Sequence, residues 1–321
     1  MRRPWLAALA VLAGACGGRA RAGGPALPLH PACDGRWVDG ACQPWSADVA
    51  EAVAANEAGI LEDPEAALAA IDRAAAAPPF DHLTYVRMWR QRGLAHSLLA
   101  HAAADAARDD AAAAPQLLED EAAHARAAMA AFDMLLALDP AHRLEYTLSP
   151  QTTFMFQDAL AAAAARPAPD LDLDWARDLR VGDPVPVDLE VLADPKGFLA
   201  RATLFVRRRG DDAWRAADVE LPAAGGYKRV VLPAIDATAA TALELYVRAY
   251  DAGGNEVLDW ASPARPREVP LRWDPPTPWW RKWWVWAVTG TVVAGATGIV
   301  VYATQWEPSA TIGGDVTVTG P

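Results

Sequence analysis

Val185-Pro186-Val187-Asp188-Leu189-Glu190-Val191 alternates apolar and polar residues without a break. Successive side chains of a strand point to opposite faces, so a period of two predicts a half-buried β-strand. Six further short runs follow, at 202–207, 214–221, 227–232, 243–250, 256–260 and 267–272. Turn chemistry separates them, as in Arg209-Gly210-Asp211-Asp212, Ala224-Gly225-Gly226 and Asp251-Ala252-Gly253-Gly254-Asn255. About seven strands over roughly 100 residues predict an immunoglobulin-like or fibronectin-like β-sandwich over 170–273. The cysteine–tryptophan–cysteine hallmark of true immunoglobulin domains is missing, so the expectation concerns architecture alone.

Before this region the apolar period lengthens, and 46–165 reads as helical. Asp63-Pro64 opens a helix with a capping carboxylate and a proline in the first turn; Leu68 and Ile71 recur at helical spacing until Pro78-Pro79. Further helices are expected over 83–107 (core Tyr85, Met88, Trp89, Leu94, Leu98), over 119–138 (Met129, Phe132, Leu135, Leu136) and over 151–165, opened by Ser149-Pro150. Two stretches resemble the second helix of a tetratricopeptide repeat: Ala67, Ile71, Ala74 and Pro79, then Ala128, Phe132 and Pro140. Their prolines lie 61 residues apart, not one or two units of 34, and Pro115 falls where a first helix should run. The expected fold is therefore α then β, a tetratricopeptide-like rather than regular helical domain followed by the sandwich. A lysine–asparagine clamp for peptide carboxylates is not expected, since 46–165 has no lysine and only Asn56.

Both ends point to a membrane. Arg2 and Arg3, an apolar run over 5–15 and small residues before Cys16 read as an export signal over 1–22, too short to span a bilayer. Leu12-Ala13-Gly14-Ala15-Cys16 resembles a lipobox, with lipidation of Cys16 expected, although Ala13 stands where leucine is usual. Cleavage after Ala15 or Ala22 and an uncleaved anchor are the alternatives. Cys33 and Cys42 then remain as a pair in a linker over 23–45, read as a disulfide suited to an oxidising compartment. A Pro- and Trp-rich stalk over 274–282 leads to 283–304, 22 residues without a charge and long enough to cross a bilayer. Trp279, Trp280, Trp283, Trp284 and Trp286 with Arg281 and Lys282 on one side, and Tyr302 and Trp306 on the other, read as interface anchors. Gly290, Ala294 and Gly298 fall four apart, a spacing that permits a close helix–helix contact. Arg281 and Lys282 alone would keep the main domains inside; the export signal places them outside, with the tail 305–321 in the cytoplasm, because long domains translocate largely regardless of charge.

Composition narrows the function. The chain has 321 residues and a net charge of −12, with eighteen acidic side chains against seven arginines between 46 and 165. No basic footprint suits a phosphate backbone, so nucleic acid is not an expected partner. There is no G-x-S-x-G elbow, P-loop, G-x-G-x-x-G fingerprint or HExxH. The six histidines (30, 82, 96, 101, 124, 142) read as surface or packing residues. Asp170, Asp172 and Asp174 would share one strand face; Trp175 and Val181 exclude an EF-hand loop. Arg207-Arg208-Arg209 read as a solvated hairpin end. No catalytic residue, metal or cofactor is expected.

Ala137-Leu138-Asp139-Pro140-Ala141-His142-Arg143-Leu144, Ser149-Pro150-Gln151, 246–255 (Tyr246-Val247-Arg248-Ala249-Tyr250-Asp251-Ala252-Gly253-Gly254-Asn255) and Trp280-Arg281-Lys282-Trp283-Trp284-Val285-Trp286 carry a resemblance to uncharacterised cell-envelope proteins common in myxobacteria and their relatives. It spans most of 46–304 on short motifs. It implies a lipoprotein-like start, a helical repeat domain and a periplasmic sandwich, and brings no catalytic residues. The expected function is a non-enzymatic, membrane-anchored adaptor or scaffold of the bacterial envelope, binding protein or peptide partners in the periplasm. A glycan- or peptidoglycan-binding module, using rings such as Trp214, Tyr246 and Trp260, is the alternative; a single-pass sensor is the next.

Overall fold

Capping residues and prolines divide the first half of the chain into helices. The computed structural model describes residues 25–38, 40–144, 149–275 and 278–287. Ser46 Oγ accepts from the Val49 N–H at the start of α1 (Ala47–Asn56), and Asp63 Oδ1 from the Ala66 N–H at the start of α2 (Pro64–Ala75). Asp81 does the same through Thr84 for α3 (His82–Asp109), and Ser149 through Thr152 for α5 (Pro150–Ala164). Pro115 lies in the first turn of α4 (Ala114–Leu138), where its missing N–H costs no helical bond, so α4 starts five residues before the expected 119. At 28 and 25 residues, α3 and α4 form a long hairpin. A 34-residue unit of two helices has no room for either, so this layer is not built from equal repeats.

Gln91 on α3 is fully buried, and its amide ties three helices. Its Nε2 donates to the Val53 carbonyl on α1 (2.7 Å), while its Oε1 accepts from Asn56 Nδ2 (3.1 Å), which also donates to the Ala67 carbonyl on α2 (3.2 Å). Between α3 and α4, Gly93 faces Phe132: a Cβ there would lie 2.4 Å from the phenyl ring. Phe132 in turn meets Phe156 of α5 edge to face at 5.5 Å.

The strands of the second half are β4 (Asp170–Trp175), β5 (Val185–Ala193), β6 (Arg201–Arg208), β7 (Arg215–Glu220), β8 (Tyr227–Leu232), β9 (Thr241–Tyr250), β10 (Glu256–Trp260) and β11 (Arg267–Leu271). β4, β5 and β8 form a three-stranded antiparallel sheet. The larger sheet runs β7-β6-β9, with β10 and β11 sharing the free edge of β9. Val185, Val187, Leu189 and Val191 are all fully buried, as their alternation requires, in one core with Leu204, Leu245 and Val247 of the larger sheet. On β4, Asp170, Asp172 and Asp174 point to solvent while Leu171 and Leu173 are buried, the solvated face read from the sequence.

Two features depart from expectation. The first concerns 23–45, expected as a linker. Leu27 N–H donates to the Val231 carbonyl, and β1 (His30–Pro31) pairs antiparallel with β7, adding a sixth strand to the larger sheet. A hairpin of β2 (Gly35–Val38) and β3 (Ala41–Pro44) follows, with Cys33 and Cys42 joined across it. Its Trp37 stacks on His30 and packs against Phe205 and Tyr246 on the outer face of the larger sheet. Apolar surface there drives the docking, and nothing local in 23–45 announces it.

The second is that helices and sheets, expected as two domains, form one compact unit, Met1–Trp273. Glu256 N–H donates to the Phe80 carbonyl (2.9 Å), Phe80 N–H to Asn255 Oδ1 (3.2 Å) and Tyr85 Oη–H to Asp251 Oδ2 (3.2 Å). Asp133 of α4 pairs with Arg166 and with Lys196 of the β5–β6 connection.

The second unit is Asp274–Pro321. Trp279–Arg281 forms a 3-10 turn and 283–287 are helical. Among the described residues no helix is long and apolar enough to cross a membrane; the expected span 283–304 leaves the described residues after 287. Cys16, Gly290, Ala294, Gly298, Tyr302 and Trp306 lie outside them.

Candidate functional site

Antiparallel register builds a polar layer on the outer face of the larger sheet, because cross-strand partners share a face. Thr203 of β6 stands opposite Asp218 of β7 on one side and Arg248 of β9 on the other, and Arg248 stands opposite Asp259 of β10. In the next row Arg201 is opposite Tyr250, and Tyr250 opposite Glu256. Thr203, Tyr250 and Glu256 are 0 %, 2 % and 4 % exposed. These are polar groups at burial levels usual for valine, and a buried polar group is costly unless it is partnered.

This layer ends in a cleft of about 530 Å³. Arg248, Glu256 and Asp259 line it from the sheet, Asp34 and Trp45 from the two sides of the β2–β3 hairpin, and Asp81 and His82 from the start of α3. Arg248 Nε lies 3.7 Å from Glu256 Oε1 and 3.8 Å from Asp259 Oδ1, too far for a hydrogen bond to either. Arg248 Nε and His82 Nδ1 are both buried without a hydrogen-bond partner. So is Tyr250 Oη, whose ring packs beside Trp45 at 6.2 Å. The carboxylate of Asp81 is occupied: it caps α3 through the Thr84 N–H and also accepts from Thr84 Oγ1 at 2.7 Å.

Burial first, then the adjacent Asp259 carboxylate and, more weakly, Asp81, together push the Glu256 carboxyl up from 4.5 to about 8 against the opposing pull of Arg248. The folded chain therefore holds a proton that the unfolded chain releases near pH 4.5. Stability from this group is full below that value and is lost as pH rises towards 8. His96 works on another window. Its Nδ1 lies 3.0 Å from Nδ1 of His124 across α3 and α4, and burial, then His124 and Arg92, lower its pKa from 6.5. Its contribution is lost as pH falls below 6.5, so the interval from pH 7 to 8 isolates Glu256. The melting temperature is expected to fall across that interval, and Glu256→Gln, which mimics the protonated acid, to flatten the slope. Equal slopes in thermal melts of the two proteins would show that Glu256 is already ionised.

The residues singled out from sequence are distributed as follows. Cys33 and Cys42 lie beside the cleft, 6.3 Å apart at Cα. Trp279, Trp280, Trp283, Trp284 and Trp286 are 50–80 % exposed, and Arg281 and Lys282 are exposed beside them. The rings considered for glycan stacking are engaged with protein. Tyr246 is buried against Phe205 (4.4 Å, 2° between planes) and Trp214 (4.8 Å), and Arg207 lies 4.3 Å over Trp214. Arg267 lies 5.7 Å over Trp260. A sugar ring would find no free face at Tyr246. The cleft itself escaped the sequence reading: Asp34, Asp81, Arg248, Glu256 and Asp259 are far apart in the chain, and only a charge on the outward positions of β9 and β10 hinted at it. Among the described residues no three His, Cys, Asp or Glu side chains are placed to hold a metal ion.

No protein family and no curated protein matches this sequence. Among solved structures, it is similar to the PKD domain of an M14-like peptidase from Thermoplasmatales archaeon SCGC AB-540-F20, at 13 % identity over 33 % of this chain and 98 % of that one, TM-score 0.23. It is also similar to the cohesin module of a family 33 glycoside hydrolase from Clostridium perfringens ATCC13124, at 11 % identity over 33 % and 97 %, TM-score 0.22. Likenesses this slight carry no functional argument.

Proposed function

We propose that this chain is a non-enzymatic binding protein held at a bacterial membrane, its first unit facing the periplasm as an adaptor for a protein or peptide partner. The observation that carries the reading is the exposure of five tryptophans within 279–286, around Arg281 and Lys282 and reaching into the start of the uncharged stretch 283–304. Indole rings clustered in water are unfavourable on a soluble surface. At a membrane boundary they bury their apolar faces and keep the N–H hydrated.

On this reading 1–22 exports the chain, Cys16 carries a lipid, and Gly290, Ala294 and Gly298 line a helix contact within the membrane. The helical layer is tetratricopeptide-like, supported by complete burial of the paired small and large residues Ala67 with Ile71 and Ala128 with Phe132. The strands form an immunoglobulin- or fibronectin-like sandwich, supported by two antiparallel sheets around one core. Fusion of a phosphatase active only outside the cytoplasm tests the arrangement. Activity is expected after Asp274 and none after Pro321. Activity solely at Pro321 would remove export, lipidation and the periplasmic role together.

A further inference from the structure

We propose that the turn and short helix over 279–286 form a docking surface for anionic phospholipid headgroups. This rests on the reading of the chain as membrane-held and deepens it by naming the lipid.

Two residues carry the charge. From 275 to 306 Arg281 and Lys282 are the only charged residues, and the nearest carboxylates in sequence are Asp274 and Glu307. Both cations are exposed, and neither forms an ion pair or a side-chain hydrogen bond among the described residues. Exposed arginines of the first unit find carboxylates instead, as Arg229 does at Asp188 and Arg209 at Glu268.

The backbone sets this pair among apolar rings. Pro278 leads into the 3-10 turn, where the Arg281 N–H donates to the Pro278 carbonyl (2.8 Å) and the Lys282 N–H to the Trp279 carbonyl (3.1 Å). Helical bonding then resumes, with the Val285 N–H on the Lys282 carbonyl (3.0 Å). Trp279 and Trp280 precede the cations and meet edge to face at 6.0 Å; Trp283, Trp284 and Trp286 follow them, and all five stay exposed. Trp37, Trp45, Trp89, Trp175, Trp214 and Trp260 of the first unit are half-buried. The apolar surface continues in sequence into 22 residues without a charge, which favours a lipid over a protein groove as its cover. Indole rings settle at the depth of the headgroups, where an arginine fork and a lysine point charge both suit phosphate oxygens.

The side on which the pair stands is a second, independent observation. Cations beside a span favour the cytoplasmic face, yet on the proposed topology these two face the periplasm, and the tail 305–321 has no lysine or arginine. The pair therefore opposes the orientation, and attraction to an anionic leaflet supplies the compensating gain.

The test reconstitutes the full chain into vesicles of equal parts phosphatidylcholine and phosphatidylglycerol at low salt and reads tryptophan fluorescence. Bromine on the acyl chains of one lipid at a time quenches the rings beside it, so the ratio of the two quenching constants measures enrichment. Phosphatidylglycerol is expected to be enriched roughly 5-fold to 25-fold, about 5-fold for each cation. Arg281→Gln combined with Lys282→Gln is expected to bring the ratio to about 1 while the rings stay quenched. Salt at about 1 M, with a screening length of ~3 Å, should lower the wild-type ratio in the same way without any substitution. A wild-type ratio near 1, or an unchanged ratio in the double variant, overturns the headgroup assignment and leaves the membrane reading standing. Rings that neither lipid quenches overturn both and give the surface to a protein partner.

Discussion

Replacing Phe132 by alanine is expected to cost about 3–5 kcal/mol, the range for deleting a fully buried aromatic ring. Phe132 has no exposed surface and is wedged between Gly93 of α3 and the edge of Phe156 of α5, so its loss opens a cavity at the meeting of three helices. Domains are stable by only about 5–15 kcal/mol, so this is a large share. At about 2–4 °C per kcal/mol for a unit of this size, the melting temperature should drop on the order of 10 °C. The partner residue supplies the check. Alanine at Gly93 gains about 1 kcal/mol of helix propensity but drives a methyl into the ring, a clash of about 1–3 kcal/mol. The single change should therefore be mildly destabilising in wild type and stabilising in the Phe132→Ala background, where the methyl enters empty space. Additive effects in that cycle would mean that the ring and the glycine do not touch.

Asn255→Ala is expected to cost about 3 kcal/mol although it removes few apolar atoms. The Asn255 side chain accepts from the Phe80 N–H and donates to Asp251 Oδ2 (3.0 Å), so its loss orphans a buried backbone donor and leaves Asp251, which also receives Tyr85, short of one bond. An unmade buried hydrogen bond costs about 1–3 kcal/mol, and two are affected. This is the link between helices and sheets, so hydrogen exchange should accelerate first at Phe80 and Glu256. Asn255→Asp is expected to be no better, since it keeps the acceptor but faces Asp251 with a second carboxylate. Unchanged exchange at both amides would show that the layers are held together elsewhere.

How much was legible varied with the range of the interactions. Helix starts followed from Asp63-Pro64 and Ser149-Pro150, and the strands from alternation around Val187 and Leu189, because those signals are local. Pro115 misled the reading since a proline forbidden inside a helix is welcome in its first turn. The docking of 25–44 and the fusion of the two layers depend on Trp37 finding Tyr246 and Phe80 finding Asn255, pairings with no footprint in any short window. The cleft was unreadable for the same reason: its four carboxyls sit at positions 34, 81, 256 and 259. The histidine pair was missed because His96 and His124 lie 28 positions apart on two different helices.

The strap formed by 25–44 has a consequence for the order in which the chain acquires structure. Arg215 reaches back to the Leu29 carbonyl across 186 positions, and Phe80 meets Asn255 across 175. Contacts this remote are made late, after the intervening chain has been synthesised. The α3–α4 hairpin is local and can form early, but the first strand of the larger sheet waits for β7. Until β7 and β9 have both been made, Trp37 and Phe205 lack the cover they have in the folded sheet. A nascent chain halted before residue 215 would therefore leave His30–Pro31 without the strand it pairs with.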